Sequence, residues 1–327
     1  MSVNTVTDEP ARARFHALDA ARALAILHMI WFHVHRWSAP VGSIQRWPFS
    51  VDWWSLAVLS APPLFFLCFG CALGMMRWET DRSGLTRRLL GRALELCCWY
   101  KLLFVFELYS LGAPSGAYWP ALTYGSTSDW VEVLDFYCLS LVTVPLVLPF
   151  FLRLALPVQW LLLALIWKAG VVVQSWPYTA ENQIAHAFLA GASGQRPFPY
   201  LFWVPVVLLG ASLGRCWKEQ PQRWSARCLV QGVLLVVGVG YLGEGGFSLH
   251  DLHLNIVLNG WKHPPHLAYV GLTTANALFW LWLCTRLFGM RPQLNAELVG
   301  FRAALARTGR HPLTFYCGPF ACPVWAN

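Results

Sequence analysis

The sequence predicts an all-α fold: a polytopic membrane bundle of about nine or ten helices with its N-terminus in the cytoplasm. Three observations predict it. Of the 327 residues 57% are hydrophobic and only 12% charged, against roughly 25% charged in a soluble domain. Mean hydropathy is +0.46. The Lys and Arg residues sort to alternate loops between apolar runs. A soluble chain of this length could not hide so much apolar surface. Composition therefore excludes a soluble enzyme, a disordered chain and a disulfide-stapled secreted module.

Residues 1–19 are polar and mixed in charge. They read as a cytoplasmic segment without a cleavable signal, so the first apolar run is a retained span. Apolar runs then fall at 20–35, 54–76, 89–111, 131–154, 157–176, 200–216, 228–242, 268–288 and 312–325. Pro and Gly cluster between runs, in 112–116 and 195–199, as loops require. The last run falls short of the roughly 17 residues that a span needs. Residues 20–327 read as one transmembrane domain whose final span is cut short.

The net charge is +8, and its placement matters more than its size. With the N-terminus inside, eighteen Lys and Arg residues fall on the cytoplasmic side and four outside. Lys101 and Lys168 lie within spans. Positive-inside bias accounts for this split. A nucleic-acid partner would need a water-facing basic surface instead, so the expected partner is the lipid bilayer. Histidines show the reverse bias: His186, His250, His253, His263 and His266 fall in outer loops, with His33 and His35 at the outer end of the first run. Anion binding inside and proton chemistry outside would suit that asymmetry. The ten cysteines mostly sit inside apolar runs, where they behave as small hydrophobes. No Cys or His spacing makes a convincing metal site, so none is expected.

An ionisable residue inside a span is costly and points to function. In the first run, LDAARALAILHMIWFHVHRW, helical periodicity places Arg22 and His33 on one face, about 16 Å apart along the axis. Asp19 lies one turn before Arg22, while His28 and His35 lie on the opposite face. A plainer reading has Arg22 snorkelling and His33 bonding a neighbouring helix. The third run holds Glu95, Lys101 and Glu107, whose partners must come from other helices. Before it, Arg88 and Arg92 sit four residues apart beside Arg87. They are either a fork for phosphate or ordinary positive-inside anchors. The outer loop ending WKHPPHLAY carries Lys262, His263 and His266, which face a polar substrate or simply water.

These residues carry a resemblance. The chain resembles the heparan-α-glucosaminide N-acetyltransferase-like family of bacterial transmembrane acyltransferases. Similar proteins place an acidic residue, an Arg and a His in the first span, matched by Asp19, Arg22 and His33. Their "APvFvFLaG" is matched by APPLFFLCFG, with Ala61, Pro62, Phe65, Phe66 and Gly70. A basic patch before the third span is matched by Arg87, Arg88 and Arg92. Pro199, Trp203, Gly210, Gly214 and Arg215 in FPYLFWVPVVLLGASLGRCW match a further motif. So do Lys262, Pro264, Pro265 and Tyr269, and then Gly309, Arg310, Pro312, Leu313 and Tyr316.

The resemblance implies a membrane acyltransferase with no permanently bound cofactor, using acetyl-CoA or another acyl-CoA as co-substrate. It implies transfer of an acetyl or other acyl group from the cytoplasm to a sugar hydroxyl or amine of an extracytoplasmic glycan or glycolipid. It implies a bacterial inner (plasma) membrane location. His33, Arg22 and Asp19 would then be catalytic, with Arg87, Arg88 and Arg92 on the donor and Lys262, His263 and His266 on the acceptor. Two other classes stay open on the residues alone: a proton-coupled transporter or permease using intramembrane His28, His33, Lys101 and Glu107, and an inactive membrane binding protein.

Overall fold

The computed structural model describes residues 16–38, 60–126, 128, 131–177, 179, 183–191, 198–242 and 265–288. Among them the chain forms ten α-helices and no strand. The long helices are α1 (His16–Ser38), α2 (Ala61–Met75), α3 (Arg82–Ser110), α5 (Glu132–Phe151), α6 (Leu156–Gln174), α8 (Tyr200–Glu219), α9 (Pro221–Leu242) and α10 (Leu267–Phe288). Two short ones, α4 (Tyr118–Leu122) and α7 (Gln183–Ala190), lie in loops at the end remote from the arginines. Four helices are long and apolar enough to cross a membrane, namely α5 from Val133, α6, α8 and α10. The longer α1, α3 and α9 carry ionisable or polar groups within their length.

The helices occupy the apolar runs expected from sequence, with informative differences. Helices α3 and α9 each begin seven residues before the apolar run does. The charged turns RSGLTRR and PQRWSAR extend them beyond the apolar slab. The Asp81 side chain caps α3 by accepting from the Gly84 N–H at 3.1 Å. Pro221 opens α9, where its missing N–H costs nothing. The runs' parts at 54–59 and 312–325 lie outside the described residues.

At the centre α2 packs on α8, backbone to backbone. Gly70 and Gly74 on α2 face Val207 and Ala211, while Gly210 and Gly214 on α8 face Leu67 and Cys71. A Cβ built on Gly70 would fall 1.9 Å from the Val207 carbonyl oxygen, and one on Gly214 would fall 2.1 Å from that of Cys71. Small residues four apart permit this approach in an apolar medium, where packing rather than water exclusion joins helices. Helix α8 is buried along most of its length. Around this pair, α1 packs on α2 and α10, α9 packs on α10 and α8, α3 packs on α5, and α6 lies against α8. The apolar core is continuous, and Phe66 packs at its heart among Phe136, Tyr137, Phe198 and Trp203.

Successive long helices alternate in direction. Contacts at one end of the bundle fix this. Arg82 at the start of α3 lies over Phe150 at the end of α5. Arg215 near the end of α8 donates to the Leu152 carbonyl. Trp282 near the end of α10 donates to Ser225 at the start of α9. Among the described residues, Arg82, Arg153, Arg215, Lys218 and Arg227 gather at this end, as the charge pattern predicts.

Candidate functional site

The ends of α2, α5 and α8 and the start of α3 converge on a cavity of about 200 Å³. Arg82, Arg153, Arg215 and Lys218 line it, with Glu79 and Glu219. Four cations therefore face two carboxylates, and one carboxylate is used: Glu219 accepts from Arg215 Nε at 2.7 Å. The Arg215 Nη1 donates to the Leu152 carbonyl at 2.8 Å, which fixes its guanidinium across the α5–α8 gap. Arg82 sits over the Phe150 ring, 5.4 Å from its centroid. The surplus positive charge, partly set on apolar and aromatic walls, suits a phosphorylated ligand.

The sequence-predicted basic set stands at the rim. Arg87 borders an open recess that it shares with Asp81, Arg82 and Thr86, so Arg82 joins that recess to the cavity. Arg88 pairs with Asp81 at 2.9 Å and also donates to the Gly84 carbonyl. Arg92 pairs with Glu95 on the next turn. Arg153, Arg215 and Lys218, which sequence reading took as separate anchors, are brought together only by the fold.

On α1, Asp19 is buried and lies 3.6 Å from Arg22. The spacing expected from sequence is thus realised as an ion pair. Arg22 points into the bundle, within electrostatic range of Cys68 and Cys71 on α2 and Tyr137 on α5. His33 lies on the same helix, about 16 Å farther along; its side chain is outside the described residues. His28 is buried edge-on against Trp280 of α10, ring centroids 5.4 Å apart. Lys262 and His263 lie outside the described residues. His266 is exposed, and its Nδ1 accepts from the Ala268 N–H at 3.2 Å, which caps α10.

At the opposite end of α3 lies a polar cluster that sequence reading only half anticipated. Lys101 donates to the Ala121 carbonyl at 2.7 Å, and its ammonium sits 3.2 Å from the Tyr124 ring centroid. Asp135 on α5 supplies the opposite charge, within electrostatic range of Lys101 and Tyr124. Cys97 lies 3.4 Å from that hydroxyl, and Tyr100 stacks on the Tyr124 ring. Tyr124 holds this place with φ +63°, a conformation rare for an aromatic residue. Burial, helped by the contact with Cys97, pushes its phenol well above the ordinary tyrosine range, so it remains a neutral donor. Glu107 bonds Ser128, whose hydroxyl accepts from the Val131 N–H at the start of α5. Asp135 was the missed residue. An acid one turn past Glu132 in the apolar run 131–154, with an unmatched Lys101 in the run before, is the signal that marks it. Among the described residues no group of His, Cys, Asp and Glu is placed to hold a metal ion.

An all-α bundle with polar groups inside its apolar slab and a cationic cavity at one end defines a polytopic membrane protein. The family model for the heparan-alpha-glucosaminide N-acetyltransferase catalytic domain matches residues 14–245, about seven-tenths of the chain. The chain belongs to that family. The matched region runs from α1 through α9 and so includes Asp19, Arg22 and the whole cavity. No curated protein and no solved structure matches the chain.

Proposed function

We propose that this protein, acting as one transmembrane unit over residues 20–327, transfers an acyl group, in the first instance acetyl, from acyl-CoA to an extracytoplasmic glycan. The single observation that carries the reading is the cavity where Arg82, Arg153, Arg215 and Lys218 meet from three elements of the bundle. Coenzyme A presents three phosphates at one end and a thioester at the other. Arginine forks bind phosphate oxygens in pairs, and lysine adds a compact charge. Arg87, Arg88 and Arg92 form the approach to the cavity. The positive-inside rule puts this face in the cytoplasm, where acyl-CoA is made.

With its phosphates held at the arginine-rich face, the slender pantetheine arm would carry the thioester into the bundle toward α1. There Arg22, half-buried and oriented by Asp19, offers a positive charge that draws the donor into the bundle. His33, farther out on α1, takes the proton from the acceptor hydroxyl or amine. The acceptor oxygen or nitrogen attacks the thioester carbonyl, the C–S bond breaks, and the departing thiolate takes up the proton to leave as coenzyme A. Lys262, His263 and His266 stand on the acceptor side. A bacterial inner membrane suits a cytoplasmic donor and an external glycan.

The test is transfer of labelled acetyl from acetyl-CoA, supplied to the arginine-rich face of the protein in proteoliposomes, to an oligosaccharide on the other face. Acetylated sugar made by wild type and lost in His33→Ala, with acetyl-CoA binding kept, is expected. Transport of a solute without acyl transfer would overturn the reading in favour of a permease.

A further inference from the structure

Beside the donor cavity, and sharing Leu152, Arg215 and Glu219 with it, lies a second recess of about 210 Å³. It is framed by the start of α6, the end of α8 and the start of α9, with Gln159, Ser212, Gln220 and Arg227 on its walls. Arg227 is its distinctive group. The Arg227 Nη2 donates to Ser212 Oγ at 2.8 Å, and Ser212 Oγ donates to Gln159 Oε1 at 2.6 Å. Gln159 Nε2 in turn donates to the carbonyls of Leu154 and Phe151. Ser212 and Gln159 are both buried. A chain of neutral groups thus holds one edge of the guanidinium and leaves its charge uncompensated.

Among the described residues no carboxylate pairs with Arg227. Its Nε is sealed from solvent, so a ligand in the recess meets the guanidinium along its Nη edge. Glu219, the carboxylate lining this recess, is taken by Arg215. Burying an unpaired guanidinium donor is costly. The first-turn amides of α6, which has no side-chain cap, add positive potential at the same place. The C-terminal end of α8 works against this and is met by Arg215.

We infer that this recess is a phosphate-binding site, with Arg227 as its fork and Ser212 and Gln159 as the brace that aims it. Its walls offer one guanidinium fork, the complement of a single phosphate group. Two sources fit that chemistry: the headgroup phosphate of an anionic phospholipid at the membrane interface, and a soluble phosphate. The inference stands whether or not the adjoining cavity holds acyl-CoA.

The experiment is thermal unfolding of the full chain in lipid nanodiscs at fixed ionic strength. One arm adds inorganic phosphate against chloride; the other replaces phosphatidylcholine with phosphatidylglycerol. A rise in unfolding temperature in either arm, absent in Arg227→Gln, is expected, and the responding arm names the source. Arg227→Lys keeps the charge but not the fork, and is expected to need at least about tenfold more of the responding ligand for the same shift. It also serves if Arg227→Gln fails to fold. No shift in either arm, or equal shifts in wild type and the variants, would overturn the site. Acetyl-CoA binding measured on the same samples reports separately on the donor reading.

Discussion

The Lys101 ammonium stands 3.2 Å from the centroid of the Tyr124 ring, and Asp135 lies within electrostatic range of both groups. One ring therefore serves a cation through its face and the Cys97 thiol through its hydroxyl. This joins α3, the following loop and α5 at the end of the bundle remote from the arginines. Such a cluster costs much to break and little to replace whole. Asp135→Asn or Lys101→Met alone is expected to lower stability by about 1–2 kcal/mol. The double variant Lys101→Met with Asp135→Leu is expected to recover most of the loss. Urea or thermal unfolding in detergent of the two single variants and the double variant measures it; a simply additive double variant would show that the two charges are not coupled.

The Tyr124 phenol also sets an alkaline limit. Its folded-state value is raised above the unfolded value near 10, chiefly by burial. The stability it contributes is complete below about pH 10 and is lost as pH rises beyond, because the unfolded chain ionises first. Tyr124→Phe is expected to flatten the fall in stability above that pH and to leave the neutral range unchanged in slope. Unfolding temperatures at pH 8 to 11 check it.

Glycines separate packing from propensity. Gly74→Ala is expected to destabilise the protein by about 1–3 kcal/mol, because its new methyl would meet the Ala211 carbonyl at 2.0 Å. Gly91, on α3, has open space where a Cβ would go. Gly91→Ala is expected to stabilise by about 0.5–1 kcal/mol through helix propensity. Opposite signs in one thermal assay confirm the close crossing of α2 and α8; equal effects would contradict it.

Arginines at one face differ in what they do. Arg153→Ala and Lys218→Ala are expected to weaken acetyl-CoA binding about tenfold each, with a shallower dependence on salt. Arg92→Ala, whose exposed pair with Glu95 spans one turn, is expected to cost no more than about 1 kcal/mol in stability. Calorimetry of acetyl-CoA on all three variants decides whether the rim arginines share in binding.

Two histidines on α1 should fail differently. His28→Ala removes a buried ring packed on Trp280 and is expected to lower stability while retaining transfer. His33→Ala is expected to reduce transfer about 10²–10⁴-fold with the fold intact. Turnover and unfolding temperature measured on the same preparations separate the two. An equal loss of turnover in both would end the argument from helix faces.

Much of the fold was legible because membrane helices announce themselves by length and composition. The runs at 131–154, 157–176, 200–216 and 268–288 became α5, α6, α8 and α10 within a few residues. Asp19 and Arg22 were legible too, since one helical turn suffices to join them. The donor cavity was not. Arg153, Arg215 and Lys218 are far apart in sequence, and each obeys the charge rule for loop anchors by itself. Their convergence depends on how α5 crosses α8, which periodicity within one helix does not encode. Asp135 was hidden for the same reason: its partners Lys101 and Tyr124 belong to another helix and a loop.

The backbone contact between α2 and α8 bears on how a bulky nucleotide enters. Two helices interlocked through Gly70, Gly74, Gly210 and Gly214 have no side-chain cushion to compress, so they hold one fixed spacing. Arg215 and Lys218 ride on that fixed frame, whereas Arg82 and Arg153 ride on the ends of α3 and α5, which pack chiefly on each other. The cavity thus has a jamb and a leaf. Under the proposed acyl-CoA reading, admission and closure would fall to the α3–α5 pair and not to the α2–α8 frame.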